Sequence, residues 1–155
     1  MARKPNKLGW DAKGRMRLRI TIPVPPTDNH IYSNVGRARF LTSTAKKYKK
    51  MVANEVAKLA VTCDPDAGFH EDVPYEIILQ LYLDKVENSG WAQGKAKSRY
   101  KRIDTTNRQK LVIDGVMEGI GVDDCHIFYA ALYKKCDATD PRLVLTVREQ
   151  EARRG

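Results

Sequence analysis

The sequence predicts an α+β fold of mixed α/β character: a small mixed β-sheet packed by two main helices. Three observations carry this. Two segments repeat apolar residues at steps of three and four, the helical period. Four others alternate, or form short apolar runs bounded by turn residues, as strands do. Their order along 155 residues is strand, helix, strand, loop, helix, strand, strand, with no internal repeat. The length suits one domain.

Residues 1–14 read as a flexible basic tail, and residues 15–150 as the domain. In RMRLRITIPV, Met16, Leu18, Ile20 and Ile22 fall on one side and Arg15, Arg17, Arg19 and Thr21 on the other, a half-buried strand with a cationic outer face. PVPPTDN ends it, since proline cannot continue a ladder. RARFLTS reads as a short strand or a loop. A helix follows, capped by Thr42 or Ser43, with Tyr48, Met51, Val52, Val56 and Leu59 on one stripe. After the loop CDPDAGFHED comes PYEIILQLYL, a well-buried strand with Ile77, Leu79, Leu81 and Leu83 facing one way and Ile78 and Tyr82 the other.

Residues 84–102, DKVENSGWAQGKAKSRYKR, show no period and read as a long basic loop, of a length usually functional or disordered. Its Trp91 suits either base stacking or a core anchor. Residues 106–120 form the second helix, capped by Thr105 or Thr106 and stopped by Gly119 and Gly121. The strands HIFYAALYKK and RLVLTVRE follow, joined by the turn CDATDP, and the tail QEARRG frays.

Net charge is +9, unevenly spread. Residues 1–50 hold thirteen lysines and arginines against Asp11 and Asp28, so the remainder is slightly acidic. This asymmetry favours a polyanionic partner, nucleic acid first, over a merely basic surface. Lys46, Lys47, Lys49 and Lys50 read as a solvated face or a phosphate-contacting ridge. No run is long and apolar enough to span a bilayer, and the N-terminus lacks the apolar core of a signal peptide, so a cytoplasmic protein is expected. Cys63, Cys125 and Cys136 are odd in number and lack C-x-x-C spacing, which argues against a disulfide framework or a standard zinc site. A zinc site from Cys125, His126 and Cys136 is opposed by the alternation of the first two across a strand.

IDTTNRQKLVIDGVMEGIGVDDCHIF, residues 103–128, gathers acids within this basic chain. Asn107, Lys110, Asp114 and Glu118 line one polar stripe of the helix, opposite a broad apolar face. Asp104 precedes the helix, and Asp123 and Asp124 follow it. These acids read either as a solvated face with a Lys110–Asp114 pair, or as a site for Mg²⁺ acting on a phosphodiester. Lys110 would then stabilise charge growing on the phosphate. A fifteen-residue helix spans roughly 22 Å, too far for Asp104 and Asp124 to share an ion if they stay at opposite helix ends. Either the chain folds back or a symmetric dimer pools the charges.

Two blocks resemble the RusA family of Holliday-junction resolvases, common in bacteria and their phages or prophages. IPVPPTDNHIYSNVGRARFLTSTAKKYKKMV, residues 22–52, is similar to the family's opening strand, Pro-Pro turn, glycine-bearing loop and helix. DTTNRQKLVIDGVMEGIGVDD, residues 104–124, resembles its D-x-D-N-x-x-K…D…DD signature. The resemblance implies a homodimeric endodeoxyribonuclease that resolves four-way junctions or other branched DNA by hydrolytic nicking, in recombination and repair, using Mg²⁺ or Mn²⁺. By matched position it implies Asp104, Asp123 and Asp124 as metal ligands and catalytic residues, and Lys110 as catalytic. Asn107 and Asp114 would support them. Arg37, Arg39, Lys46, Lys47, Lys49, Lys50, Lys95, Lys97, Arg99, Lys101 and Arg102 would contact the DNA backbone. Thr106 stands where the family has a second aspartate, which motivates a rival reading as a non-catalytic or weakly active nucleic-acid-binding module.

Overall fold

The computed structural model describes residues 4–61, 69–103 and 105–151. Most of the loop expected over 63–72 with Cys63, the ligand candidate Asp104, and residues 152–155 of the expected fraying tail lie outside the described residues.

The elements are β1 (Lys7–Trp10), β2 (Met16–Ile22), β3 (Tyr32–Val35), β4 (Ala38–Leu41), α1 (Ser43–Val61), β5 (Tyr75–Leu83), α2 (Thr106–Ile120), β6 (Ile127–Cys136) and β7 (Arg142–Glu149). Five strands make one sheet in the order β1-β2-β7-β5-β6, and β3–β4 is a separate hairpin. β5 and β6 run parallel while the other pairs are antiparallel, so the sheet is mixed and the fold α+β, as the periodicities predict.

One expectation is corrected. Part of the supposed flexible tail, Lys7–Trp10, pairs antiparallel with β2. Leu8 packs against the core. The connecting turn is closed by Asp11, whose carboxylate accepts the amides of Lys13 (2.9 Å) and Arg15 (3.0 Å) and the Arg15 guanidinium (2.8 Å). These bonds, the Arg15 amide foremost, hold the Asp11 carboxyl down at about 2. A four-residue strand with a single apolar residue facing the core leaves almost no periodicity to read.

The core is the set of faces the alternation marks. Leu18, Ile20 and Ile22 of β2, Ile77, Leu79 and Leu81 of β5, and Leu143, Leu145 and Val147 of β7 are buried with Tyr48, Val52 and Val56 of α1 and Leu111, Val112 and Val116 of α2. At the sheet's far corner the buried Glu149 carboxylate accepts the Met16 amide at 3.0 Å. Thr42 is the cap of α1: its hydroxyl accepts the Ala45 amide at 3.1 Å. The Tyr48 hydroxyl donates to the Pro23 carbonyl at 2.7 Å and so ties α1 to the proline-rich turn. Burial raises the Tyr48 phenol far above its ordinary range, against the opposing pull of the Arg108 charge.

α1 and α2 meet at two glycines. A Cβ at Gly115 would lie 3.0 Å from the Lys49 carbonyl oxygen, and one at Gly119 only 2.7 Å from that of Ala53. Close backbone approach is the reason for both. A Lys49–Glu118 ion pair at 3.0 Å spans the same contact. α2 starts at Thr105, whose carbonyl accepts the Gln109 amide at 2.8 Å but whose side chain makes no capping bond. It stops at Gly121, which takes φ 72° and donates to the Met117 carbonyl.

Candidate active site

α2 carries the chain from β5 back to the start of its parallel neighbour β6. The return brings a 3-10 turn, Asp124–His126, against the polar side of α2. Between them lies an open trough of about 350 Å³, lined by Thr106, Gln109, Lys110, Ile113, Asp114, Asp124 and Ile127. Thr106 to Asp114 is about 12 Å of helix, so the trough is elongated along α2. The helix-end problem is thus partly resolved within one chain. Asp124 follows α2, yet it lines the same trough as Thr106 at the helix start.

Of the sequence-marked residues, Thr106, Lys110, Asp114 and Asp124 come together there. Lys110 Nζ stands 3.5 Å from Asp114 Oδ1, and the lysine side chain is 60% exposed. A pair this long and wet contributes only some tenths of a kcal/mol, which leaves the ammonium free to be redirected. Asp123 and Asn107 do not line the trough. The Asp123 carboxylate is occupied as the cap of the 3-10 turn, where its Oδ1 accepts the Cys125 amide at 2.9 Å. That bond, first among several, keeps its carboxyl below the usual range. The same carboxylate raises the Cys125 thiol, which stays protonated beside His126. Glu118, on the same polar stripe, is held by Lys49.

The trough's donors are all oxygens: two carboxylates, the Thr106 hydroxyl and the Gln109 amide carbonyl. With neither thiolate nor imidazole in the lining, the chemistry suits a hard cation such as Mg²⁺ or Mn²⁺ and not a soft one. Among the described residues no group of three His, Cys, Asp or Glu side chains gathers to hold a metal. The two trough carboxylates match Mg²⁺, which is commonly held by one or two carboxylates with water and substrate phosphate. Zinc through Cys125, His126 and Cys136 does not fit, because the two cysteines bracket the ten-residue β6.

Two further residues of α2 carry no signal in the polar stripe. Gln109 lines the wall one position away from it. Arg108 is 7% exposed, and its Nε has no hydrogen-bond partner. Its spacing of three and four before Leu111 and Val112 continues the buried stripe of α2, the feature that would have placed it inside.

The sequence-marked cations lie on three other parts of the chain. Arg37 and Arg39 belong to the exposed β3–β4 hairpin, with Arg39 stacked on the Tyr32 ring at 3.8 Å. Lys46, Lys47 and Lys50 project from α1, whereas Lys49 is half-buried in its ion pair with Glu118. The 84–102 segment is a two-ply excursion. Asn88 Nδ2 donates to the Ser98 (2.8 Å) and Tyr100 (3.1 Å) carbonyls, and the Lys101 amide donates to the Val86 carbonyl at 2.9 Å. It presents Lys95, Lys97 and Arg102 to solvent, with Lys101 partly covered and Arg99 paired to Glu87 at 2.6 Å. Trp91 is 41% exposed on this excursion and anchors no core.

No helix among the described residues is long and apolar enough to cross a membrane. No curated protein matches the chain. The family model described as endodeoxyribonuclease RusA matches residues 22–148, which takes in the proline-rich turn, both helices, the trough and the closing strands. With most of its length matched, the chain belongs to the RusA endodeoxyribonuclease family, the Holliday-junction resolvases of DNA recombination.

Proposed function

We propose that the trough is the catalytic centre of a divalent-metal-dependent endodeoxyribonuclease that works as a homodimer and nicks branched DNA, four-way junctions first. The observation that carries this is the grouping of Lys110, Asp114 and Asp124 around one open trough in a chain of a DNA-nuclease family. Asp114 and Asp124 would hold Mg²⁺ or Mn²⁺. Asp104, two residues before the trough residue Thr106 in the sequence, would join them. When bound, the ion supplies an acidified water and neutralises phosphate charge.

The chain's own residues do the rest. Lys110 leaves its weak contact with Asp114 and donates to a non-bridging phosphate oxygen, where negative charge grows during cleavage. Asp123 positions Asp124 by capping the turn that carries it. Asn107, in the first turn of α2, orients the phosphate from beside the trough. The exposed lysines and arginines of the β3–β4 hairpin, α1 and the 84–102 excursion hold the DNA by its backbone, which gives shape-based and not base-specific binding. In EDTA, Asp124→Asn should bind a labelled four-way junction like the unmodified protein. It should lose Mg²⁺-dependent nicking by at least about a hundredfold, the scale of removing one preorganised electrostatic group. Nicking at the unmodified rate would sink the assignment.

A second reading, a nucleic-acid-binding module without activity, is favoured by Thr106, a hydroxyl within the trough where the resemblance leads one to expect a carboxylate. Junction binding in EDTA with no cleavage in either Mg²⁺ or Mn²⁺ would establish it.

A further inference from the structure

The β1–β2 hairpin lies at the opposite end of the sheet from β6, and all of it but Ile22 precedes the residues that the family model matches. Leu8, Leu18 and Ile20 face the core and the helices. Arg17 and Arg19 alternate with them and so stand on the sheet's other face. There the register sets Gly9 beside Arg17 and Lys7 beside Arg19. This face holds a hollow of about 230 Å³ lined by Lys4, Lys7, Gly9, Trp10, Arg17 and Arg19. Asp11 is the one acid in the lining, and its carboxylate is already taken up by the Lys13 and Arg15 amides and the Arg15 guanidinium.

The fold gives Gly9 no reason to be glycine. Its φ is not positive, its pairing with Arg17 is in regular register, and an added Cβ would meet only the Lys7 side chain, at 3.9 Å. Glycine weakens a strand, and where neither a bulge nor crowding calls for it, it leaves room for a ligand. The charges say which kind. Arg19 Nη1 is shut off from solvent and has no hydrogen-bond partner among the described residues. Such a donor costs stability until an acceptor meets it. Lys4, Lys7 and Arg17 form no ion pair among the described residues either, so the hollow suits an anion. Trp10, 50% exposed, adds an aromatic surface beside the cations. Cations beside an aromatic ring are the combination that holds single strands, with phosphate on the first and a stacked base on the second. A duplex keeps its base faces inside its own stack, so only an unpaired nucleotide can use the Trp10 ring.

We infer that the hollow on the β1–β2 hairpin binds an unpaired nucleotide of single-stranded DNA, with the base on Trp10 and the phosphates on Arg17 and Arg19. The choice of DNA as the anion rests on the proposed function, while the site itself uses nothing of the trough. It would retain a free strand beside a branch point, a feature that a fully paired junction lacks. The full chain in EDTA is titrated against labelled oligothymidylate and against a duplex of the same length, read by fluorescence anisotropy. Trp10→Ala should weaken oligothymidylate binding at least about fivefold, the lower end of what one stacked base supplies, and leave duplex affinity unchanged. Trp10→Phe should restore most of the loss. Arg17→Ala combined with Arg19→Ala should flatten the slope of log affinity against log salt for oligothymidylate by about 1.4, or about 0.7 for each lost phosphate contact.

Should Trp10→Ala unsettle the hairpin, Gly9→Val decides. Valine suits a strand and has space at this position, so the thermal midpoint should hold or rise while the filled hollow loses oligothymidylate. Full oligothymidylate affinity in a folded Trp10→Ala or Gly9→Val protein overturns the inference. So does an equal loss for the duplex, which would make the hairpin a general backbone surface, or an unchanged salt slope in the double arginine variant. A loss from Trp91→Ala in place of Trp10→Ala overturns it too. Competition by polyglutamate as strong as by unlabelled oligothymidylate would make the hollow an acidic-peptide site and also overturn it. Junction nicking by the unmodified protein in Mg²⁺, measured in parallel, judges the trough separately. A protein that binds the single strand through Trp10 and never nicks removes only the nuclease reading. One that nicks, with oligothymidylate affinity indifferent to Trp10 and Gly9, removes only this inference.

Discussion

A hydroxyl at Thr106 leaves the trough with one negative charge fewer than the D-x-D pattern would give it. Asp114 lines the same trough eight residues along the helix. If the trough holds a hard cation, adding a carboxylate at its edge should tighten that hold, because ligand charge tunes affinity at such sites. Thr106→Asp is therefore expected to lower the Mg²⁺ concentration for half-maximal nicking severalfold, read from cleavage against Mg²⁺ and from calorimetric titration without DNA. An unchanged midpoint in both would remove Thr106 from the site. At this scale much was legible. Lys110, Asp114 and Asp124 could be marked because charge beside an apolar helix face is visible in a sequence. Whether an acid is free or occupied is not visible. Asp123 and Asp124 are neighbours of one chemistry, and only the turn's backbone decides that Asp123 accepts the Cys125 amide while Asp124 lines the trough.

Among the elements, both helices and three of the four long strands were readable because each buries a full face and its period follows, whereas β6, with no buried residue, was marked by its short apolar run. The limits of α2 were readable too, from threonines before it and Gly121 after it. β1 was not, since only Leu8 packs against the core, and the parallel pairing of β5 with β6 depends on partners that no local pattern names. Gly115 and Gly119 passed in the sequence as members of an apolar face and a stop signal. In the fold they set how closely α2 approaches α1. Gly119→Ala gains about 1 kcal/mol of helix propensity. It also presses a methyl on the Ala53 carbonyl oxygen at 2.7 Å, and such overpacking costs about 1–3 kcal/mol. A net loss of about 1 kcal/mol is expected, seen as a lower urea midpoint with an unchanged slope. A higher midpoint would mean that the helices separate without resistance. Because α2 carries the trough, the same variant should nick more slowly than its stability alone requires.

Over the whole molecule, the first fifty residues hold more than the whole charge surplus, and they build the β3–β4 hairpin and the start of α1, the helix that packs on α2. If exposed Lys46, Lys47 and Lys50 each neutralise a phosphate, changing all three to alanine should flatten the slope of log affinity against log salt by about 2–3. Loss of affinity with the slope intact would show that they act elsewhere. The order β1-β2-β7-β5-β6 has one more consequence, for the moment of birth on the ribosome. β7, the strand translated last, occupies the centre of the sheet and joins β2 to the β5–β6 pair. Until Arg142–Glu149 emerges, the earlier strands have no common partner and their apolar faces stay open to water. The nascent chain therefore gains its core in a single late event, and each polypeptide depends until then on whatever shields those faces from its neighbours.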